Sequence, residues 1–108
     1  MQLLELDRSA IIVIPKQPLL DWLHSIDPDG PRSTLSEMAE DPTVYLVRAC
    51  ESDRAFNDRL RKIFPAIFEN ELAAWFTDES LWPTDRTLKT FREWFDIRFH
   101  SMVFEASD

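Results

Sequence analysis

The fold depends most on two neighbouring segments, WFTDESLWP at residues 75–83 and WFDIRFHSMV at residues 94–103. Residues 75–103 contain three of the four tryptophans and one of the two histidines of the chain. A large aromatic side chain removes about 150–250 Å² of surface from water when it is buried, so a few rings close a small core. We therefore expect these rings to share one core. The loop at residues 77–83 either covers that core or forms the floor of a site.

Apolar residues recur at helical spacing in residues 56–76 and again in residues 88–95. Stripes of this kind are typical of helices that bury one face. Pro65 interrupts the first stripe and removes one backbone hydrogen bond, so this segment is either one bent helix or two helices. Ser52 is a suitable N-cap for the first stripe, and Thr84 is a suitable N-cap for the second. The two stripes predict helices that pack against a common core.

Three short segments, residues 10–14, 43–47 and 97–104, have the β-branched or alternating composition of strands. A helix with Pro18 in its first turn is expected after the first strand. Residues 27–31 (DPDGP) form the turn that ends this helix. The chain therefore has the order β-α-β-α-α-β. This order predicts an α+β fold, with a small three-stranded sheet covered by three or four helices.

The connection between the first two strands is long enough to hold a helix. A right-handed crossover there would make these two strands parallel, whereas the direction of the third strand cannot be read from the sequence. Residues 105–108 follow the last strand and are expected to fray. No repeat, linker or low-complexity segment divides the chain, so residues 1–108 are expected to form a single domain.

The charge and cysteine content restrict the partners and the compartment. Twenty acidic and twelve basic residues give a net charge of −8, which repels a phosphate backbone, so no nucleic-acid partner is expected. The longest apolar run, residues 10–15, is far shorter than the ~20 residues of a membrane helix. The first residues also lack the pattern of a signal peptide. Cys50 is the only cysteine, which excludes an intrachain disulfide and fits a reducing cytoplasm.

Sequence motifs exclude several classes of site. Gly30 is the only glycine, so the chain cannot form a glycine-rich phosphate loop or a dinucleotide fingerprint. The two histidines, His24 and His100, are too far apart in sequence to form a paired zinc motif. We therefore expect no metal and no cofactor.

A group of carboxylates and one histidine is the remaining candidate for catalysis. Asp78, Glu79 and His100, with Asp85 and Asp96 nearby in sequence, could share proton transfer or bind a hard divalent ion. In the alternative interpretation, the acids stabilise the loop and a helix N-terminus, where the helix dipole favours negative charge. His100 then lies beside an aromatic surface without a chemical role.

Tryptophan and arginine residues in the same region are candidates for a binding surface. Both residue types are enriched among the side chains that contribute most to protein interfaces. Trp82, Arg86 and Trp94 are the candidate binding residues. The alternative is core packing, which is favoured for Trp94, whereas Trp82 lies between Leu81 and Pro83 in a loop and is expected to be partly exposed.

The C-terminal part of the chain resembles a family of small uncharacterised bacterial proteins. The resemblance covers about residues 44–104 and is carried by TDESLWP at 77–83, RTL at 86–88, FxxWF at 91–95 and FHSMV at 99–103. It implies a bacterial cytoplasmic protein without an established activity. It also marks Asp78, Glu79, Trp82, Arg86 and His100 as positions of interest.

Three functions of different classes remain open on the sequence, and the third is a nucleic-acid mimic or regulator that uses the net charge of −8. The preferred hypothesis is a non-enzymatic module that binds a protein partner or itself through the Trp82 loop. The alternative is a small metal-dependent or acid/base hydrolase that uses Asp78, Glu79 and His100.

Overall fold

The computed structural model describes residues 1–30 and 32–108, so Pro31, the last residue of the predicted turn, lies outside the described residues. The described part is an α+β fold. The strands are β1 (Gln2–Leu6), β2 (Arg8–Pro15), β3 (Thr43–Arg48), β4 (Phe95–His100) and β5 (Val103–Ser107). The α-helices are α1 (Gln17–Ile26), α2 (Leu35–Met38), α3 (Asp53–Trp75) and α4 (Leu88–Trp94), and a 3₁₀ helix spans Glu79–Leu81.

The three predicted strands form one sheet in the order β3-β2-β4. Both pairs are antiparallel, so the connection between the first two predicted strands is not the right-handed crossover that the sequence would allow. The physical reason is the path of the connection. β2 ends at Pro15, and β3 begins at Thr43, which pairs with Val13 near the same end of β2. The chain therefore returns without crossing the sheet.

One face of the sheet carries the core. Ile11 and Val13 of β2 are fully buried on this face and pack in one cluster with residues of α1, α3 and α4. Phe68 of α3 lies 5.5 Å from the ring centroid of Phe91 and 5.7 Å from that of Phe95. The aromatic side chains of the later helices and the last strand of this sheet thus share one interior, as the sequence predicts.

The helix boundaries follow the capping residues. Pro18 lies in the first turn of α1 and Ser52 caps α3, because its Oγ accepts from the backbone N–H of Ala55 at 3.1 Å, and both predictions are confirmed. α3 continues through Pro65 as a single helix. The predicted start of α4 at Thr84 is wrong, because Thr87 provides the cap by accepting from the backbone N–H of Thr90 at 3.2 Å.

The last strand is interrupted at residues 101 and 102. Residues 103–107 form β5, which pairs with β1 as a separate antiparallel ribbon, so the prediction of a frayed tail from residue 105 is wrong. Leu6 pairs with Val103 and Ala10 pairs with His100, which leaves one extra residue on the N-terminal side, a β-bulge. The bulge lies where the β1–β5 ribbon and the three-stranded sheet meet.

Ser9 fixes the bulge. Its buried Oγ accepts from the backbone N–H of Cys50 at 2.9 Å and donates to the carbonyl of Ser101 at 3.1 Å. The hydroxyl therefore joins three segments that are distant in sequence. None of the helices in residues 1–30 and 32–108 is both long enough and apolar enough to cross a membrane.

Candidate functional site

The candidate catalytic residues lie at opposite ends of the sheet. His100 is exposed and pairs with Ala10 at one end of β2. Asp78 follows α3, whose last residue, Trp75, lines a small cavity with Pro15 at the other end of that strand. Five residues of strand, roughly 16 Å, separate these ends. In addition, His100 lies on the sheet face opposite to the helices, so the structure does not bring it to Asp78 and Glu79.

The two loop acids have local contacts. The carboxylate of Asp78 accepts from the backbone N–H of Ser80 at 3.1 Å and from its hydroxyl at 2.7 Å, which caps the 3₁₀ helix. Glu79 is exposed in the first turn of the same helix. Asp85 accepts from the hydroxyl of Thr90 at 3.2 Å, and Asp96 accepts from Arg98. This geometry gives the hydrolase alternative no support.

The Trp82 loop is closed by its own hydrogen bonds. The indole N–H of Trp82 donates to the carbonyl of Phe76 at 2.8 Å, and the indole N–H of Trp22 donates to the carbonyl of Leu81 at 3.0 Å. Arg86 stacks on the ring of Trp82 at 6.0 Å from its centroid, donates to the carbonyl of Pro83 and approaches Glu69 at 3.6 Å. Trp82 is partly exposed, as predicted, but its polar atom and one ring face are already used.

Trp94 belongs to the core. Its ring lies 5.8 Å from that of Phe68 and 6.1 Å from that of Trp22. Its backbone carbonyl accepts from the N–H of Lys16 at 2.8 Å, which fixes the end of β2 against α4. These contacts match the core-packing interpretation of Trp94.

Glu71 and Tyr45 form a buried polar pair that the sequence does not reveal. Glu71 is only 4% exposed, and the phenol of Tyr45 donates to its carboxylate. Asn70 donates to the phenol oxygen at 2.9 Å. Burial is the largest cause that raises the pKa of Glu71, and burial also raises the pKa of Tyr45. The pair connects the edge strand β3 to α3.

A cavity of about 490 Å³ lies at the bulge. Glu5, Asp7, Glu51 and Arg8 are among the residues that line it. Across residues 1–30 and 32–108, no group of three or more histidine, cysteine or acidic side chains is placed to hold a metal ion. Cys50 also borders this cavity, but its thiol donates to the carbonyl of Arg48 at 3.3 Å.

The outer face of the sheet is open and apolar at its centre. Strand register places Ile12 beside Val44 and Ala10 beside Leu46 on the face opposite to the helices. Val44 is 54% exposed and Leu46 is 55% exposed, because no helix of the described chain packs on this side. An antiparallel sheet commonly leaves one face in water, but that face is then usually polar.

The open face carries more basic than acidic side chains, in contrast to the acidic chain. Arg8 and Arg48 lie directly opposite each other, and neither forms an ion pair within residues 1–30 and 32–108. Like charges in this position are mildly destabilising. Arg98 lies on the same face and is paired with Asp96 at 2.9 Å. The open face therefore favours a partner that is apolar and acidic.

The β1–β5 ribbon exposes apolar side chains on both of its faces. Leu4 and Leu6 share one face, whereas Leu3 shares the other with Phe104. Leu3 is 67% exposed, Leu4 60% and Phe104 50%. An isolated two-stranded ribbon is marginally stable in water. The apolar faces of this ribbon are therefore surfaces that a partner would stabilise.

The exposed apolar surface is somewhat smaller than one side of a standard interface. Leu3, Leu4, Val44, Leu46, Met102 and Phe104 are each exposed by half or more. A half-exposed large side chain leaves on the order of 100 Å² in water. The six side chains therefore present roughly 600 Å² in total, distributed over both faces of the ribbon, Met102 and the open sheet face, whereas one partner contributes ~800 Å² to a standard interface.

Comparison with protein-family models, curated protein sequences and solved structures gives no match to this chain. The candidate site therefore depends on the geometry alone. It consists of the open face of β3-β2-β4 and the β1–β5 ribbon, which we call the open β surface. The alternation of side chains within residues 43–47 indicates a strand with two different faces. The sequence does not show which of these faces is left without helices packed on it.

Proposed function

We propose that this chain is a non-enzymatic module that associates with a second copy of itself through the open β surface. The observation that carries the proposal is the exposed apolar surface of the ribbon and the open sheet face within one small chain. The ribbon contributes acidic residues, Glu5 and Glu105, and β3 with the neighbouring α3 contributes Arg48 and Arg59. One chain thus carries both halves of a complementary pair.

The proposal places the module in a bacterial cytoplasm, with protein rather than nucleic acid as its partner. The resemblance described above supports the bacterial origin. The single cysteine is buried and unpaired, which fits a reducing compartment. The net charge of −8 disfavours a phosphate backbone as the partner.

Sedimentation equilibrium of the wild-type chain and two matched variants tests this function. Leu46→Ser removes an exposed apolar side chain from the open β surface. Leu81→Ser makes the same change at a side chain of the Trp82 loop that is 41% exposed. We expect a reversible wild-type dimer, a dissociation constant raised about tenfold or more by Leu46→Ser, and no change with Leu81→Ser. A monomeric wild-type chain, or a dimer weakened only by Leu81→Ser, contradicts the proposal.

A further inference from the structure

The free edge of β3 borders an apolar groove. This groove has a volume of about 330 Å³ and lies between β3 and α3. Ile63, Ala66 and Ile67 of α3 line it together with residues 45–48 of the strand. β3 pairs only with β2 in the described chain, so its other edge presents unpaired backbone groups to any strand that enters.

The groove also contains a buried polar atom without a partner. Arg59 lines the groove, and its Nε is buried without a hydrogen-bond acceptor among the described residues. Arg48 is the other charged residue of the lining, and no acid lines the groove. Arg59 forms no ion pair among the described residues, so the carboxylate of an entering strand can pair with its guanidinium group.

We infer that β1 of a second copy adds to the free edge of β3, with Glu5 directed towards Arg59. This inference rests on the proposed function and specifies its geometry. A strand that joins a sheet edge contributes one face to each side of the sheet. Leu3 and Glu5 then cover the groove, whereas Leu4 lies on the open side beside Val44 and Leu46.

Edge addition covers one apolar face of the ribbon and aligns the other face with the open side of the sheet. When the ribbon continues the sheet, the face with Leu3 and Phe104 meets α3, and the face with Leu4 and Leu6 extends the open side. A reciprocal exchange of ribbons between two copies uses both free edges and closes the assembly as a two-fold dimer.

Charge reversal tests this geometry on the full-length chain. Glu5→Arg places a cation against Arg59, so we expect dimer dissociation to increase about tenfold or more in sedimentation equilibrium. Glu105→Arg makes the same change on the opposite face of the ribbon and is expected to have little effect. Arg59→Glu should also weaken the dimer, whereas Arg61→Glu, on the exposed side of α3, should not.

Mixing the two weakened variants gives the decisive result. In a reciprocal dimer of Glu5→Arg with Arg59→Glu, one junction is wild type and the other has both charges exchanged. We therefore expect the mixture to dimerise at least about tenfold more tightly than either variant alone. Thermal unfolding of each variant shows whether it is folded. Glu5→Arg changes an exposed residue and is expected to fold. The effect of Glu5→Arg on dimerisation therefore tests the inference even if Arg59→Glu does not fold.

Other outcomes overturn this inference. If Glu105→Arg weakens the dimer and Glu5→Arg does not, the wrong ribbon face has been assigned to the groove. If Arg48→Glu rather than Arg59→Glu rescues Glu5→Arg, the carboxylate lies on the open side. A dimer unaffected by all of these variants rejects the edge addition but keeps self-association, whereas a wild-type monomer rejects both.

Discussion

Glu71 has an environment unlike that of the other described acids. It is buried against Tyr45, and the resulting desolvation raises the pKa of its carboxyl above the ordinary value of 4.5. The protonated form is therefore favoured in the folded state. The stabilisation from Glu71 is fully present below the pKa that its carboxyl has in the unfolded chain. It is lost as the pH rises through the higher pKa that the carboxyl has in the folded chain.

Glu71→Gln tests this environment because glutamine mimics the protonated acid. We expect the free energy of unfolding of the variant, relative to that of the wild type, to increase as the pH rises through the raised pKa of Glu71. Urea denaturation at several pH values measures the difference. Glu69→Gln, an exposed change on the same helix, is the control. A difference independent of pH would show that burial does not perturb Glu71.

Single-residue signals in the sequence identified local roles but not long-range ones. The capping role of Ser52 and the position of Pro18 follow from short-range backbone chemistry, and both were predictable. The position of His100 relative to Asp78 depends on strand pairing, which local spacing does not encode. The partner of Glu71 lies 26 residues away on β3 and was likewise invisible to a local pattern.

At the scale of single elements, α3 is continuous although Pro65 lies in its interior. Proline has no N–H for the carbonyl of Arg61, so one helical hydrogen bond is missing. The proline ring is exposed, and the apolar stripe on either side of it packs in the core. Tertiary packing therefore keeps the helix intact where its local preference would interrupt it.

Pro65→Ala is expected to stabilise the chain by about 1–2 kcal/mol. Alanine restores the missing helical hydrogen bond and has a higher helix propensity, and both effects stabilise the folded state. Proline also restricts the unfolded chain, and losing this restriction destabilises the variant by a smaller amount. The midpoint of urea denaturation measures the change. Pro83→Ala, in the loop, removes a proline without restoring a helical bond and should not stabilise. A Pro65→Ala variant no more stable than wild type would contradict this account of α3.

The strands show the limit of local prediction more clearly. Residues 10–14, 43–47 and 97–104 were recognisable from their β-branched and alternating composition, although the last segment is divided by the bulge. The pairing of β1 with β5 joins the two ends of the chain and leaves no periodic signal in either segment. The antiparallel pairing of β2 with β3 could not be predicted either, because the long connection between them allows both a parallel and an antiparallel arrangement.

The whole molecule is more extended than its length requires. Its Cα radius of gyration is 15.6 Å, with principal extents of 48 × 33 × 21 Å. A compact domain of this length has a radius near 13 Å. The extended form fits a molecule in which the β1–β5 ribbon is a sheet of its own rather than part of the sheet that the helices cover.

The α+β class and the shared aromatic core were predictable at this scale, because apolar periodicity and large aromatic side chains report directly on burial. The surface proposed for self-association was not predictable, because the exposure of a sheet face depends on which face the helices cover. The Trp82 loop attracted attention through its composition, yet its indole hydrogen bonds are satisfied within the chain. The open β surface consists of ordinary aliphatic residues.

Amide hydrogen exchange at two protein concentrations tests the central claim most directly, because it locates a self-association surface as well as detecting one. We expect residues 2–6 and 43–48 to exchange more slowly at the high concentration, while residues 77–83 exchange at the same rate in both samples. Unchanged exchange in β1 and β3, or new protection confined to residues 77–83, would contradict association through the open β surface.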